Sequence, residues 1–193
     1  MDFSRINPTY FVLAVITVAV LITIAVVYLR NRAAARLRLR ERFGPEYERT
    51  VKEQGSERRA AAQLSEREDR VERLNIRELE PAERERFANQ WNVLQLRFVD
   101  SPRGAVAEAD DLIMLLMQTR GYPMSDFEQR AADISVYHPM VVENYRTAHA
   151  IAQRLREGDA GTEDLRNAMI HYRALFDEMV RVAGPTLMRR DAA

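Results

Sequence analysis

Three histidines, His138, His149 and His171, and the carboxylates near them have the widest chemical reach of any side chains in this chain. An imidazole titrates near neutral pH and ligates divalent metals, so a carboxylate at helical spacing from one suggests a proton relay or a metal site. Asp164, His171 and Glu178 recur every seven residues and fall on one helical stripe. Seven residues rise about 10.5 Å along a helix, too far for neighbouring side chains to share one ion through ligand bonds of ~2 Å. Di-iron bundles use Glu-x-x-His instead, and no histidine here has a glutamate three positions before it. The stripe also runs along the rim of an apolar face, where polar residues ordinarily sit. No metal is expected.

Tyr145 and His149 form an i,i+4 pair, with Asn144 at the buried edge of the same helix and His171 on the next one. Converging, Asn144, Tyr145, His149 and His171 would make a small polar pocket for a ligand or substrate. The same residue types also make a hydrogen-bonded network that fixes packing, and that reading is favoured. There is no G-x-S-x-G, no glycine-rich phosphate loop and no cysteine nucleophile. The absence of cysteine also excludes disulfides and thiolate metal sites. No catalytic residue and no cofactor is assigned. Asp110-Asp111 adjoins an apolar helix and is expected on its solvated side.

The elements that position these residues read as helices throughout. Pro81 suits a first helical turn, and Phe87, Trp91, Leu94 and Phe98 follow at spacings of 4, 3 and 4, one inward face. Ser101-Pro102 opens the next helix, whose run Leu112 to Met117 exceeds one face and predicts a central, surrounded element. Ser125 and Glu128 fit a capping box opening a short helix. His138-Pro139 starts another, with Val141, Tyr145, Ala148, Ala152 and Leu155 inward. Thr162 caps the last, with Leu165, Met169, Tyr172, Phe176, Met179 and Val180 inward, and Gly184-Pro185 stops it. Trp91 and the methionines read as core rather than as a partner anchor or an adaptable groove. No period-2 strand pattern occurs.

Twenty uncharged residues, Tyr10 to Leu29, precede this domain. In a helix they span roughly 30 Å, the thickness of a bilayer's hydrocarbon core. A signal peptide has a shorter apolar core and a small-residue cleavage site; here Ala33-Ala34-Ala35 lies beyond two arginines. A buried helix of a soluble protein seldom runs this long without a charge. Tyr10 and Tyr28 lie near the two expected interfaces. Arg30, Arg32, Arg36, Arg38, Arg40 and Arg42 follow, opposed only by Glu41. Such asymmetry orients the larger part of the chain toward the cytoplasm, with the N-terminus outside. The same six arginines could hold anionic lipid headgroups, at about 1 kcal/mol each near a membrane surface.

The expected organisation is an all-α chain: a tail over 1–9, a transmembrane helix over 10–29 and an arginine-rich juxtamembrane segment over 30–45. A charged helical stalk over 46–75 comes next, lightly packed on the main domain and interrupted at Gly55. A bundle of about five helices over 76–184 and a disordered tail over 185–193 complete it. The 193 residues sum to zero formal charge. Residues 1–45 carry seven arginines against Asp2 and Glu41, a balance of +5, which leaves −5 for the rest. An acidic domain offers no electrostatic footprint for nucleic acid. Arginine so outnumbers lysine, with Lys52 the sole example, that a GC-rich bacterial genome is suggested.

The phrases RFGPEY (42–47), FVDSPRGAVAEAD (98–110), RGYP (120–123), DFEQRAADIS (126–135), HPMVVENYRTAH (138–149) and TEDLRNAMIHYRALF (162–176) resemble an uncharacterised bacterial family of small proteins. The resemblance covers most of residues 40–176 and implies an N-terminal membrane helix joined to a helical domain. The family pattern has an acidic residue where this chain has Tyr137. It implies no activity and no functional residues.

The expected function is therefore a membrane-tethered cytoplasmic interaction module without catalytic activity, in the bacterial inner membrane, that binds lipid through its tether and another protein or itself through its bundle. The alternatives are a membrane-bound enzyme or small-ligand binder using the polar residues above, and an envelope structural or stress protein acting on anionic lipid.

Overall fold

In the computed structural model of the chain, residues 8–181 are described, and the apolar N-terminal run forms part of a single helix, α1 (Pro8–Phe43). The side chains described along its apolar stretch are exposed, Val12 through Leu29 among them. Two hydroxyls in this stretch are satisfied locally: Thr17 Oγ1 donates to the Leu13 carbonyl and Thr23 Oγ1 to that of Ala19, both at 2.9 Å. Such back-bonding satisfies both threonine hydroxyls without solvent. Among the described residues this is the one helix long and apolar enough to cross a membrane. The expected stop at Phe43-Gly44-Pro45 is where α1 ends, and Gly44 has a φ of 48°. The expected tails fall outside the described residues, except that Pro8 and Thr9 begin α1.

The chain divides into two units between Arg42 and Phe43. The second unit holds α2 (Pro45–Gln54), α3 (Glu57–Glu72), α4 (Pro81–Asp100), α5 (Pro102–Arg120), α6 (Phe127–Tyr137), α7 (Val142–Glu157) and α8 (Thr162–Arg181). All described secondary structure is helical. Helix α5 is central: it packs against α4, α7 and α8, and it buries Val106, Ile113, Leu116 and Met117. Its Leu115 nevertheless remains 43% exposed, so one flank is open. Trp91 of α4 stacks on Phe176 of α8 with ring centroids 4.7 Å apart. Phe87 and Leu94 are buried beside it as the spacing predicts, while Phe98 is only half-buried.

Residues 46–75, expected as a stalk, are two helices within the second unit. Gly55, at φ 63°, ends α2, and α3 packs against α2 and α6. Tyr47, Ala60, Leu64 and Val71 are buried. The pattern misleads because the apolar residues are few and the buried charges, Glu46 and Arg67, pair with each other. Other corrections are local. Helix α6 is capped by Asp126, whose side chain accepts from the Gln129 amide, rather than by Ser125. Helix α7 begins at Val142, after a turn at His138-Pro139, and buries Val142, His149 and Ile151 in addition to the expected Tyr145, Ala148 and Ala152. Val141, Leu155 and Val180 are half-buried instead of inward. Asp110 is buried and only Asp111 faces solvent.

The segment between α3 and α4 is anchored on the end of α5. Ile76 and Leu79 are buried, and the Arg77 amide donates to the Arg120 carbonyl at 2.9 Å. Arg77 also clasps both carboxylate oxygens of Glu83 at 2.7 Å, and Glu80 and Glu83 form a capping box on α4. Gly121 closes α5 at φ 94°, and a Cβ there would lie 2.4 Å from the Asn75 carbonyl oxygen. Both the left-handed backbone and the close approach of that carbonyl demand glycine. Gly121→Ala is expected to destabilise the second unit by about 2 kcal/mol or more, read as a lowered urea midpoint; an unchanged midpoint would show that the linker is not seated against α5.

Candidate functional site

The inward stripe of α5 runs Val106, Asp110, Ile113, Met117 and Arg120 at spacings of 4, 3, 4 and 3, so it carries two buried charges. Each organises a cluster. Asp110, 4% exposed, accepts a 2.8 Å hydrogen bond from Tyr172 Oη. His149 Nδ1 lies 3.5 Å from Asp110 Oδ1, long for a hydrogen bond, and Arg156 Nη1 lies 3.6 Å from Oδ2. The other edge of the His149 ring faces Gln153 Nε2 at 3.3 Å, and one ring face is covered by Phe127, stacked with centroids 3.9 Å apart. Burial alone would raise the Asp110 carboxyl; the contacts from His149 and Tyr172, with Arg156, more than offset it and hold it below the usual range. Burial and the Asp110 charge push the Tyr172 hydroxyl far up, so it stays a neutral donor.

The four residues expected to form a polar pocket are thus divided among three sets of hydrogen-bonding partners, although the Tyr145 and His149 rings still meet with centroids 6.2 Å apart. His149 belongs to the Asp110 cluster. Tyr145, fully buried, accepts from Arg130 Nε at 3.2 Å, and burial raises its hydroxyl. His171 Nδ1 and Asn144 Oδ1 meet at 2.8 Å as a separate pair. Asp164, His171 and Glu178 likewise go their own ways. Asp164 bonds Arg154 at 2.8 Å and the Gly161 amide at 3.0 Å. Glu178 Oε1 lies 3.6 Å from His138 Nδ1. Among the described residues no group of three or more histidines and carboxylates is placed to hold a metal.

The second buried charge, Arg120, has no carboxylate in hydrogen-bonding reach among the described residues. Its Nε donates to the Arg77 carbonyl at 3.3 Å, and Nη1 donates to the Met179 carbonyl at 2.9 Å and to His138 Nε2 at 3.3 Å. A guanidinium only donates, so His138 accepts at Nε2 and carries its proton on Nδ1, toward Glu178. Burial, aided by the Arg120 charge, pushes the His138 pKa down to about 3.

Sequence reasoning offered no sign of a third cluster. Glu46 of α2, 3% exposed, is bonded by Arg67 of α3 at 2.8 Å and by both terminal nitrogens of Arg146 of α7 at 2.7 and 2.8 Å. Burial would raise its carboxyl; Arg146 and Arg67 together hold it below the ordinary value. No local pattern marks it, because its partners lie 21 and 100 residues away. The sequence reading also placed Asp110 on the solvated side and did not single out Arg120; the signal available was two charges on an otherwise apolar stripe.

A different kind of site lies on α4. The residues exposed on its outer side include the stripe Ala82, Arg86, Asn89, Val93, Leu96 and Asp100, spaced 4, 3, 4, 3 and 4. Val93, Leu96 and Val99 are 55%, 73% and 80% exposed, and Leu115 of α5 and Ile170 of α8 flank them at 43% and 55%. Between α4 and α5 runs an open groove of about 750 Å³, floored by Val93, Leu94, Leu112 and Leu115 and rimmed by Glu85, Arg86, Glu108 and Asp111. None of the polar residues of the Asp110 or Arg120 clusters lines it.

The buried clusters set the expected acid response. The unfolded chain protonates His138 near pH 6.5, whereas the folded chain does so only near 3, so stability falls as pH drops through that window. The depressed carboxyl of Glu46 contributes stability above its unfolded value of 4.5 that is lost as pH falls below it. Glu46→Gln is expected to cost about 3 kcal/mol at pH 7, because it takes the carboxylate from the buried Arg67 and leaves the half-buried Arg146 only Glu143 at 3.5 Å, and to flatten the slope below pH 4.5. Urea titrations followed by circular dichroism at several pH values check both; an equal slope in the variant would remove Glu46 from the account.

Set against known protein families, curated proteins and solved structures, the chain has no significant match; the family resemblance thus rests on the sequence phrases alone.

Proposed function

We propose that this chain is a membrane-tethered helical module that acts by binding, with its second unit in the cytoplasm and its partner surface on α4. The observation that carries this reading is the apolar outer face of that helix. A monomeric soluble domain rarely leaves large apolar side chains exposed as a contiguous patch, and such patches mark interaction sites. Val93, Leu96 and Val99 occupy neighbouring turns, with Leu115 and Ile170 on either flank, and an apolar groove adjoins them. The polar clusters, by contrast, are spent on one another and on backbone carbonyls. The six arginines from Arg30 to Arg42 support the cytoplasmic orientation, and the arginine-rich composition supports a bacterial inner membrane as the site.

Leu96→Glu tests this. At 73% exposure the change should leave stability within about 0.5 kcal/mol. It should abolish whatever association the native chain shows, read by pull-down from detergent-solubilised membranes and by light scattering. Identical partner recovery and mass for the native chain and the variant would refute an α4 surface.

A second reading concerns lipid. The Arg32 guanidinium lies 4.4 Å from the Tyr28 ring centroid, a cation–π pair at the end of the apolar run, where an aromatic interface belt and an anionic headgroup layer would meet. A fragment starting at Asn31 should bind anionic liposomes in low salt, and replacing its arginines at 32, 36, 38, 40 and 42 by glutamine should abolish the binding. Unchanged liposome sedimentation would leave the arginines a topological role only.

A further inference from the structure

We propose that the partner for the α4 face is a second copy of this chain, docked antiparallel across a two-fold axis at Val93. This rests on the binding-module reading above and names its occupant. The face offers exposed apolar side chains along its length. Leu96 and Val99 form an exposed ridge on the C-terminal half of α4, while the groove beside its N-terminal half is lined by Ala82, Arg86, Asn89, Gln90 and Val93. A two-fold axis at Val93 relates position i to position 186 − i on the opposing helix. Leu96 of one copy then lies level with Gln90 of the other, and the exposed apolar side chains near the axis come together.

Charge complementarity selects the same register. Arg86 and Asp100 lie on the α4 stripe, each seven residues from Val93, about 10.5 Å along the axis. Among the described residues neither makes an ion pair: the Arg86 guanidinium rests over the Phe87 ring at 5.1 Å and interacts with the Glu83 charge only at longer range. The axis at Val93 places Arg86 of one copy opposite Asp100 of the other, twice per interface. By contrast Arg97, nearer the centre, is already occupied by Glu108 at 2.5 Å. The closed geometry matches the commonest form of homo-oligomer, a self-complementary isologous pair. Anchoring both copies in one membrane raises their effective concentration.

The chain contains no cysteine, so Val93→Cys places its only thiol on the proposed axis. Facing residues of helices packed 8–10 Å apart come within disulfide reach. The full-length variant is oxidised in membrane vesicles and read on a non-reducing gel against Met140→Cys, equally unpaired in sequence and 71% exposed. Dimer formation by Val93→Cys should exceed the Met140→Cys level on the order of tenfold. Adding Arg86→Asp should lower it on the order of tenfold, since like charges then oppose each other at both ends. Adding Asp100→Arg to that variant should restore it. Crosslinking no better than at Met140, or no restoration by the double reversal while circular dichroism confirms folding, would overturn the proposal. If Leu96→Glu still removes a co-purifying protein in that event, self-pairing fails and the binding module stands; if it removes nothing, both readings fail.

Discussion

A guanidinium buried without a carboxylate dictates much of this fold. Removing Arg120 from water costs several kcal/mol unless its N–H groups find acceptors, and those acceptors come from three separate places. The Arg77 carbonyl belongs to the α3–α4 linker, His138 to the α6–α7 turn and the Met179 carbonyl to α8. All three segments must converge on the end of α5 for the charge to be buried at all. Gly121 lets the linker backbone come close enough, and the return hydrogen bond from the Arg77 amide to the Arg120 carbonyl locks it. The neutral state of His138 follows from the same requirement, because a protonated ring could not accept.

The other two buried charges repeat the logic with carboxylates. Asp110 draws Tyr172 of α8 and His149 of α7 toward the middle of α5; Glu46 draws α3 and α7 onto α2. A buried ion pair is weak evidence for net stability, yet removing one partner is costly. These clusters are therefore better understood as selectors of one packing arrangement among several that an apolar bundle of this composition could adopt. They also explain why the polar side chains most suggestive of chemistry face each other rather than a cavity.

The α4 surface stands outside this economy. Its inward face is complete, with Phe87, Trp91 and Leu94 buried against the core. Val93, Leu96 and Val99 contribute nothing to that core, and an intrinsic helix former on a solvated face would normally be polar. Their exposure is a cost without a structural reason inside the isolated domain, and the proposed interface would supply one. The unpaired Arg86 and Asp100 at equal distances from Val93 add an electrostatic term that an undirected apolar patch would lack.

How much of this was readable beforehand depends on the range of each interaction. Composition and 3.6-residue periodicity determined the all-helical class, the five helices from α4 to α8 and the long apolar N-terminal helix, because those are consequences of local spacing. Proline and glycine set the breaks at Gly44, Gly55 and Gly121 for the same reason. Asp110 and Arg120 form a signal that local spacing offered and the sequence reading did not use, two charges on an apolar stripe: Asp110 was assigned to the solvated side and Arg120 was not singled out. Only the tertiary structure decided that 46–75 folds into the second unit, because Glu46 meets Arg146 across 100 residues of chain. It alone divided Asn144, Tyr145, His149 and His171 among different partners, since i,i+4 spacing fixes a shared face and not what that face meets. It alone separated the inward from the outward apolar residues of α4, because hydropathy reports that a side chain is apolar, while burial depends on whether another helix arrives to cover it.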